Sequence, residues 1–115
     1  MAKRQKADLL QGTLDMLILK SLVDESRHGY GVVKWIQATT RDALTVEEGS
    51  LYPALHRMQK RGWIESEWGL SESNRRAKYY QLTAAGRKQL KTEVKEWSHL
   101  VEAINLVLNS QIAEA

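Results

Sequence analysis

Apolar residues recur along the chain at three spacings, and each spacing predicts a different kind of element. From Gly12 to Asp24, Leu14, Leu17, Ile18 and Leu22 lie three or four apart, with Leu10 extending the stripe backward, which predicts a helix with one buried face. The polar segment DESRHG supplies a turn. Tyr30, Val33 and Ile36 then resume the helical period until Thr39, Thr40, Arg41 and Asp42 end it, predicting a shorter second helix. Thr45 and Glu48 have the S/T-x-x-E form of a capping box, so a third helix is predicted from about Val46. Its inward stripe is Leu51, Leu55 and Met58, leaving Ser50, Pro53, His56, Arg57 and Lys60 to face outward. Pro53 is tolerable within the first two turns, and Gly62 supplies the left-handed residue that stops the helix.

The period then changes to two. Ile64, Ser66, Trp68 and Leu70 alternate with Glu65 and Glu67, and Tyr80 and Leu82 continue the alternation after a polar SESNRRA segment, which is the pattern of a β-hairpin. That loop exceeds a two-residue turn, so its tip is expected to be mobile. From Ala84 to about Ile112 the helical period returns, with Leu90, Val94, Trp97, Val101, Ile104 and Leu108 spaced as the a/d seam of a coiled coil. Such a helix is roughly 40 Å long, too long to bury its seam against a small domain. A second copy of the chain is the expected cover.

The 115 residues suffice for one domain with a modest core. The expected fold is mainly α with a small β-hairpin: a winged helix-turn-helix over residues 1–83, with an arm at 1–8 and a wing at 63–83, followed by a C-terminal dimerisation helix over 84–115. The absence of cysteine excludes disulfides, thiolate metal sites and a cysteine nucleophile. The charged N-terminus lacks the apolar core of a secretory signal and no apolar run approaches a membrane span, so a cytoplasmic protein without membrane association is expected.

Charge distribution sharpens this. The net charge is +3, yet residues 55–91 hold nine basic against three acidic residues and residues 92–115 one against four. A basic middle beside an acidic end suits a protein that offers one face to a polyanion, although an unevenly charged solvated surface gives the same count. The third helix has the size to enter a major groove, and Asn74, Arg75, Arg76 and Lys78 at the hairpin tip can reach phosphates beside it. Double-stranded DNA is the expected partner.

The segments LLQGTLDMLILKSL, RHGYGVVKWI, EEGSLYPALHRMQKRGWI and RRAKYYQLTAAGRKQL, with the Trp97 tail, together resemble the PadR family of bacterial transcriptional regulators, over roughly Leu9 to Leu108. The length and single terminal helix resemble its short subfamily, including its multidrug sensors. The resemblance implies a homodimeric repressor on a palindromic operator. It places Ser50, Tyr52, Pro53 and His56 on the groove-facing side of the recognition helix, Tyr30 and Lys34 on the supporting helix near the DNA backbone, and Arg75, Arg76 and Lys78 on the wing. It also places Trp97 at the dimer centre, where two indoles would form a slot for a small aromatic or cationic effector. A plain interface tryptophan is the competing reading of Trp97.

Other chemistry finds little support. GYGVVK lacks the third glycine of a phosphate cradle, so Gly29 and Gly31 are read as allowing close helix approach. His28, His56 and His99 have no metal-ligand spacing, with His28 placed near a helix start. Trp35, Trp63 and Trp68 could serve as stacking platforms for single strands, but core or interface packing is the expectation for each. Lys3, Arg4 and Lys6 form an arm that either touches phosphates or stays free. No nucleophile, carboxylate pair or cofactor motif suggests an enzyme, and no cofactor is expected. The rival to DNA binding is a winged helix that docks onto another protein, against which the outward lysine and arginine residues argue.

Overall fold

The computed structural model describes the backbone of residues 2–112 and the side chains of residues 12–112. The expectations for Leu10, Lys3, Arg4 and Lys6 concern side chains outside that range. In chain order the elements are α1 (Ala2–Ser21), β1 (Arg27–His28), α2 (Gly29–Thr39), α3 (Glu48–Lys60), β2 (Ile64–Leu70), β3 (Arg76–Leu82) and α4 (Ala84–Leu108). The expected mainly-α winged helix is present, with one strand that periodicity did not predict.

That strand is β1, within the segment read as a turn. Arg27 and His28 pair with Tyr80 and Tyr79, giving a three-stranded antiparallel sheet ordered β1-β3-β2. Two residues are too few to show a period. Arg27 is fixed from the other side, because its Nε donates to the Ser21 carbonyl at 2.7 Å and its guanidinium contacts Asp24.

The core joins α1, α2, α3 and the sheet. Leu14, Ile18 and Leu19 of α1 and Leu22 just beyond it meet Val32 and Ile36 of α2, Leu51, Ala54, Leu55 and Met58 of α3, and Ile64, Tyr80 and Leu90. The α2 stripe differs from expectation, with Val32 buried and Tyr30 63% exposed. The helix starts at Gly29, one residue before Tyr30, and the buried side therefore runs through Gly29, Val32 and Ile36.

The capping box does not form. α3 begins at Glu48, its N-cap is Glu47, and no side chain caps it. The reason lies in packing: Val46, immediately before the cap, is drawn against the core to which Leu51 belongs, which is the spacing of a hydrophobic staple. Pro53 is consequently the sixth helical residue, and the carbonyl it leaves unbonded is that of solvent-exposed Gly49. Gly62 has φ +78°, as the stop of α3 requires.

α4 is anchored by its first turns. The Thr83 hydroxyl accepts from the Gly86 N–H at 3.0 Å and donates to the Gly62 carbonyl at 2.6 Å. A β-carbon at Gly86 would stand 2.0 Å from the Trp63 carbonyl oxygen, so only glycine lets the helix approach this closely. Leu90 closes the core, and beyond it the helix departs. It ends at Leu108, capped by Asn109, rather than near Ile112.

Candidate nucleic-acid interface

One side of α3 is committed to the core, which leaves Ser50, Tyr52, Pro53, His56 and Lys60 exposed on the other. α2 supports this surface. His28 is its N-cap, with Nδ1 accepting the Gly31 N–H at 2.9 Å, so the residue read as lying near a helix start is the start itself. The His28 ring stacks on Tyr30, and the Lys34 ammonium lies 5.8 Å from the centre of the Tyr30 ring. Tyr52 crosses from α3 to α2, where a β-carbon on Gly29 would come within 2.8 Å of its hydroxyl. The absence of a side chain at Gly29 is what lets the two helices meet here.

The wing has two dissimilar faces. Pairing of Ile64 with Leu82, Ser66 with Tyr80, Trp68 with Lys78 and Leu70 with Arg76 puts these eight residues on one face. Its inner end is core, and its outer end presents Trp68, Leu70, Arg76 and Lys78. The opposite face carries Glu65 and Glu67, so only the first can approach phosphates without like-charge repulsion. The tip is a bonded turn: the Ser71 N–H donates to the Arg75 carbonyl at 2.8 Å, the Asn74 N–H to the Ser71 carbonyl at 2.9 Å, and Asn74 takes φ +64°. Asn is among the few residues that tolerate this region.

The cationic wing face and the exposed ends of α2 and α3 enclose a cleft lined by Tyr30, Tyr52, Trp68, Arg75, Arg76 and Lys78, with Glu72 as its one carboxylate. Of the residues anticipated for DNA contact, these helices and the wing bring Tyr30, Tyr52, Arg75, Arg76 and Lys78 to one cleft, while Ser50, Pro53, His56 and Lys60 continue along exposed α3.

Arg57 departs from that outward set. It is half-buried, and its guanidinium donates to the carboxylate of Asp15 on α1. Burial pushes the Asp15 carboxyl above its ordinary range, against the opposing pull of Arg57. Periodicity misplaced Arg57 because a long side chain can rise from the outer side of a helix and reach back to a neighbour. Glu93 of α4, which accepts from the Gln89 amide, is also raised by burial.

Met16 and Leu17 of α1 and Leu90, Val94 and Trp97 of α4 line a shallow apolar groove, rimmed by Lys20, Lys91 and Lys95. Along α4 the remaining seam residues carry on into solvent, with Ile104 46% and Leu108 72% exposed. Among the described residues no cluster of acidic or histidine side chains could hold a metal, and no helix is long and apolar enough to cross a membrane.

Trp68, expected to pack in a core or interface, lies outside the core and is 57% exposed on the cleft face of the wing. Trp35 and Trp63 do pack against the core, each with an arginine over its ring, Arg27 and Arg61 respectively. The alternation that places Trp68 with Ile64 on one face was legible, but not that the face leaves the core between Ser66 and Trp68.

Residues 18–92 match the family model described as the transcriptional regulator PadR-like family. A transcriptional regulator from Clostridium thermocellum is 34% identical with a TM-score of 0.78, covering 85% of this chain and 95% of its own. A PadR-like transcriptional regulator from Bacillus cereus is 31% identical with a TM-score of 0.75, covering 90% and 99%. An uncharacterised protein of Lysinibacillus sphaericus is 31% identical over 90% of this chain and 94% of its own. With a match across most of its length, the chain belongs to the PadR-like family of transcriptional regulators.

Proposed function

We propose that the chain is a dimeric, sequence-specific repressor that reads duplex DNA with α3 and grips the flanking backbone with the wing. The observation that carries this is the cleft in which Tyr52 of α3 faces the cations Arg75, Arg76 and Lys78 of the wing, with Ser50, Pro53 and His56 exposed on the same helix. Serine and histidine can bond base edges, an apolar proline can meet a thymine methyl, and arginine, lysine and tyrosine donate to phosphates. Residues 1–83 act as the reading head and 84–115 as the dimerisation helix. The apolar line of exposed Val94, Trp97, Ile104 and Leu108 with half-buried Val101 supports self-association, since an isolated helix gains nothing by presenting such a stripe to water.

Selection from a random duplex pool tests the reading: half-sites about 34 Å apart are expected, and no enrichment overturns it. Arg75→Ala should reduce the slope of log K against log salt by about one unit for a lost phosphate contact. A groove that ends at Trp97 fits a planar aromatic effector, and the lysines on its rim favour a neutral or anionic ligand over a cation. Planar dyes should quench Trp97 and bind less well to Trp97→Ala. Equal affinity for both proteins would remove the effector from this reading.

A further inference from the structure

Trp68 is an apolar side chain in a place that gives it no packing partner large enough to bury it. Two cations lie over its ring instead: the Arg76 guanidinium carbon stands 4.3 Å from the ring centroid, and the Lys78 ammonium 5.6 Å. Lys78 is its direct cross-strand neighbour and Arg76 pairs with Leu70 one step further out, so the sheet register brings all three together. A guanidinium stacked on an aromatic face keeps its N–H donors free around its edge, and it loses less freedom on meeting an anion than an unsupported arginine does.

We propose that Trp68 is a DNA-contacting residue of the wing, its exposed indole edge packing on a deoxyribose while the Arg76 guanidinium it steadies bonds the adjoining phosphate. The ligand is thus one sugar–phosphate unit of duplex backbone, a contact that fixes register without reading sequence. Charge complementarity selects this occupant, since Arg75, Arg76 and Lys78 line the cleft against Glu72 alone, while Glu65 and Glu67 lie on the far face. An unpaired base is the weaker alternative, because two cations already lie over the ring on which it would stack.

The inference rests on the DNA-binding reading above, and the test separates the two. A labelled duplex selected by the wild-type protein is titrated with Trp68→Ala, Trp68→Phe, Arg76→Ala and the Trp68→Ala/Arg76→Ala double variant, with thermal melting to confirm that each is folded. Trp68→Ala is expected to weaken binding roughly three- to tenfold and Trp68→Phe less, and the double variant to bind worse than Arg76→Ala but by less than the product of the two single losses. Wild-type affinity in Trp68→Ala, or losses that simply multiply in the double variant, would overturn the role of Trp68 while leaving DNA binding intact. A Trp68→Ala loss confined to the single strand of the same sequence would assign the indole to bases and overturn the backbone contact. Failure of the wild type to select any duplex would remove both readings.

Discussion

The reading head and the outer part of α4 are built from the same apolar residue types and treat them in opposite ways. In the head, Ile18, Leu19, Val32, Leu51, Leu55, Met58 and Ile64 are each at most 1% exposed. Along α4, Val94, Trp97, Leu100 and Ile104 are between 42% and 46% exposed, and Leu106, Val107 and Leu108 near 70%. The head therefore holds its shape by its own burial, whereas the tail has the pattern of a buried element that the described residues of its own chain cover only in part. A long axis of 60 Å against 27 and 26 Å across reflects that separation.

The sharpest way to break the comparison is to truncate one apolar side chain in each region. Leu55→Ala should cost about 2–5 kcal/mol in urea unfolding, because it opens a cavity among fully packed neighbours. Ile104→Ala should cost the head under about 0.5 kcal/mol, and its effect should appear in the concentration dependence of melting and in light scattering. Equal losses measured at low concentration would show that the tail is as self-sufficient as the head.

A smaller effect is expected inside the head, where α3 is tied to α1. Arg57→Ala removes the cation bonded to mostly buried Asp15 and should cost about 1–3 kcal/mol. Its salt slope for DNA binding should stay at the wild-type value, in contrast to Arg75→Ala. A slope lowered by about one unit would instead return Arg57 to the phosphate contacts.

The smallest effect is a pH dependence. Burial raises Glu93 above its unfolded value, so between the two values the folded state holds the extra proton. The stability this group contributes is fully present below the unfolded value and is lost as pH rises through the folded one. Melting temperature should accordingly decline across that acid window, and Glu93→Gln should flatten the decline. An unchanged profile in the variant would assign the dependence to Asp15, which is raised in the same direction.

Much of the head was legible in sequence because its elements carry a period. α1, α3, the hairpin and α4 announce themselves by their apolar spacing, and Gly62 by the left-handed stop it supplies. The departures have particular causes. β1 is too short to show a period; the Thr45–Glu48 motif lost to the burial of Val46; Arg57 was read by the position of its Cα, although its guanidinium lies a long side chain away. Trp68 flanks a predicted strand, which points to core or interface packing, and the sheet carries it past the edge of the core.

The sequence by itself determined the kind of elements, their order, the cluster of cations near the wing tip and the apolar seam of α4, since each follows from the residues and the spacing of near neighbours. Only the tertiary structure decided which charges stay free and which are tied down. Arg57 meets Asp15 across 42 positions of chain, Arg76 meets Trp68 by sheet register, and Gly29 receives Tyr52 from another helix. Such contacts depend on where two separate elements come to rest, and no local period records that.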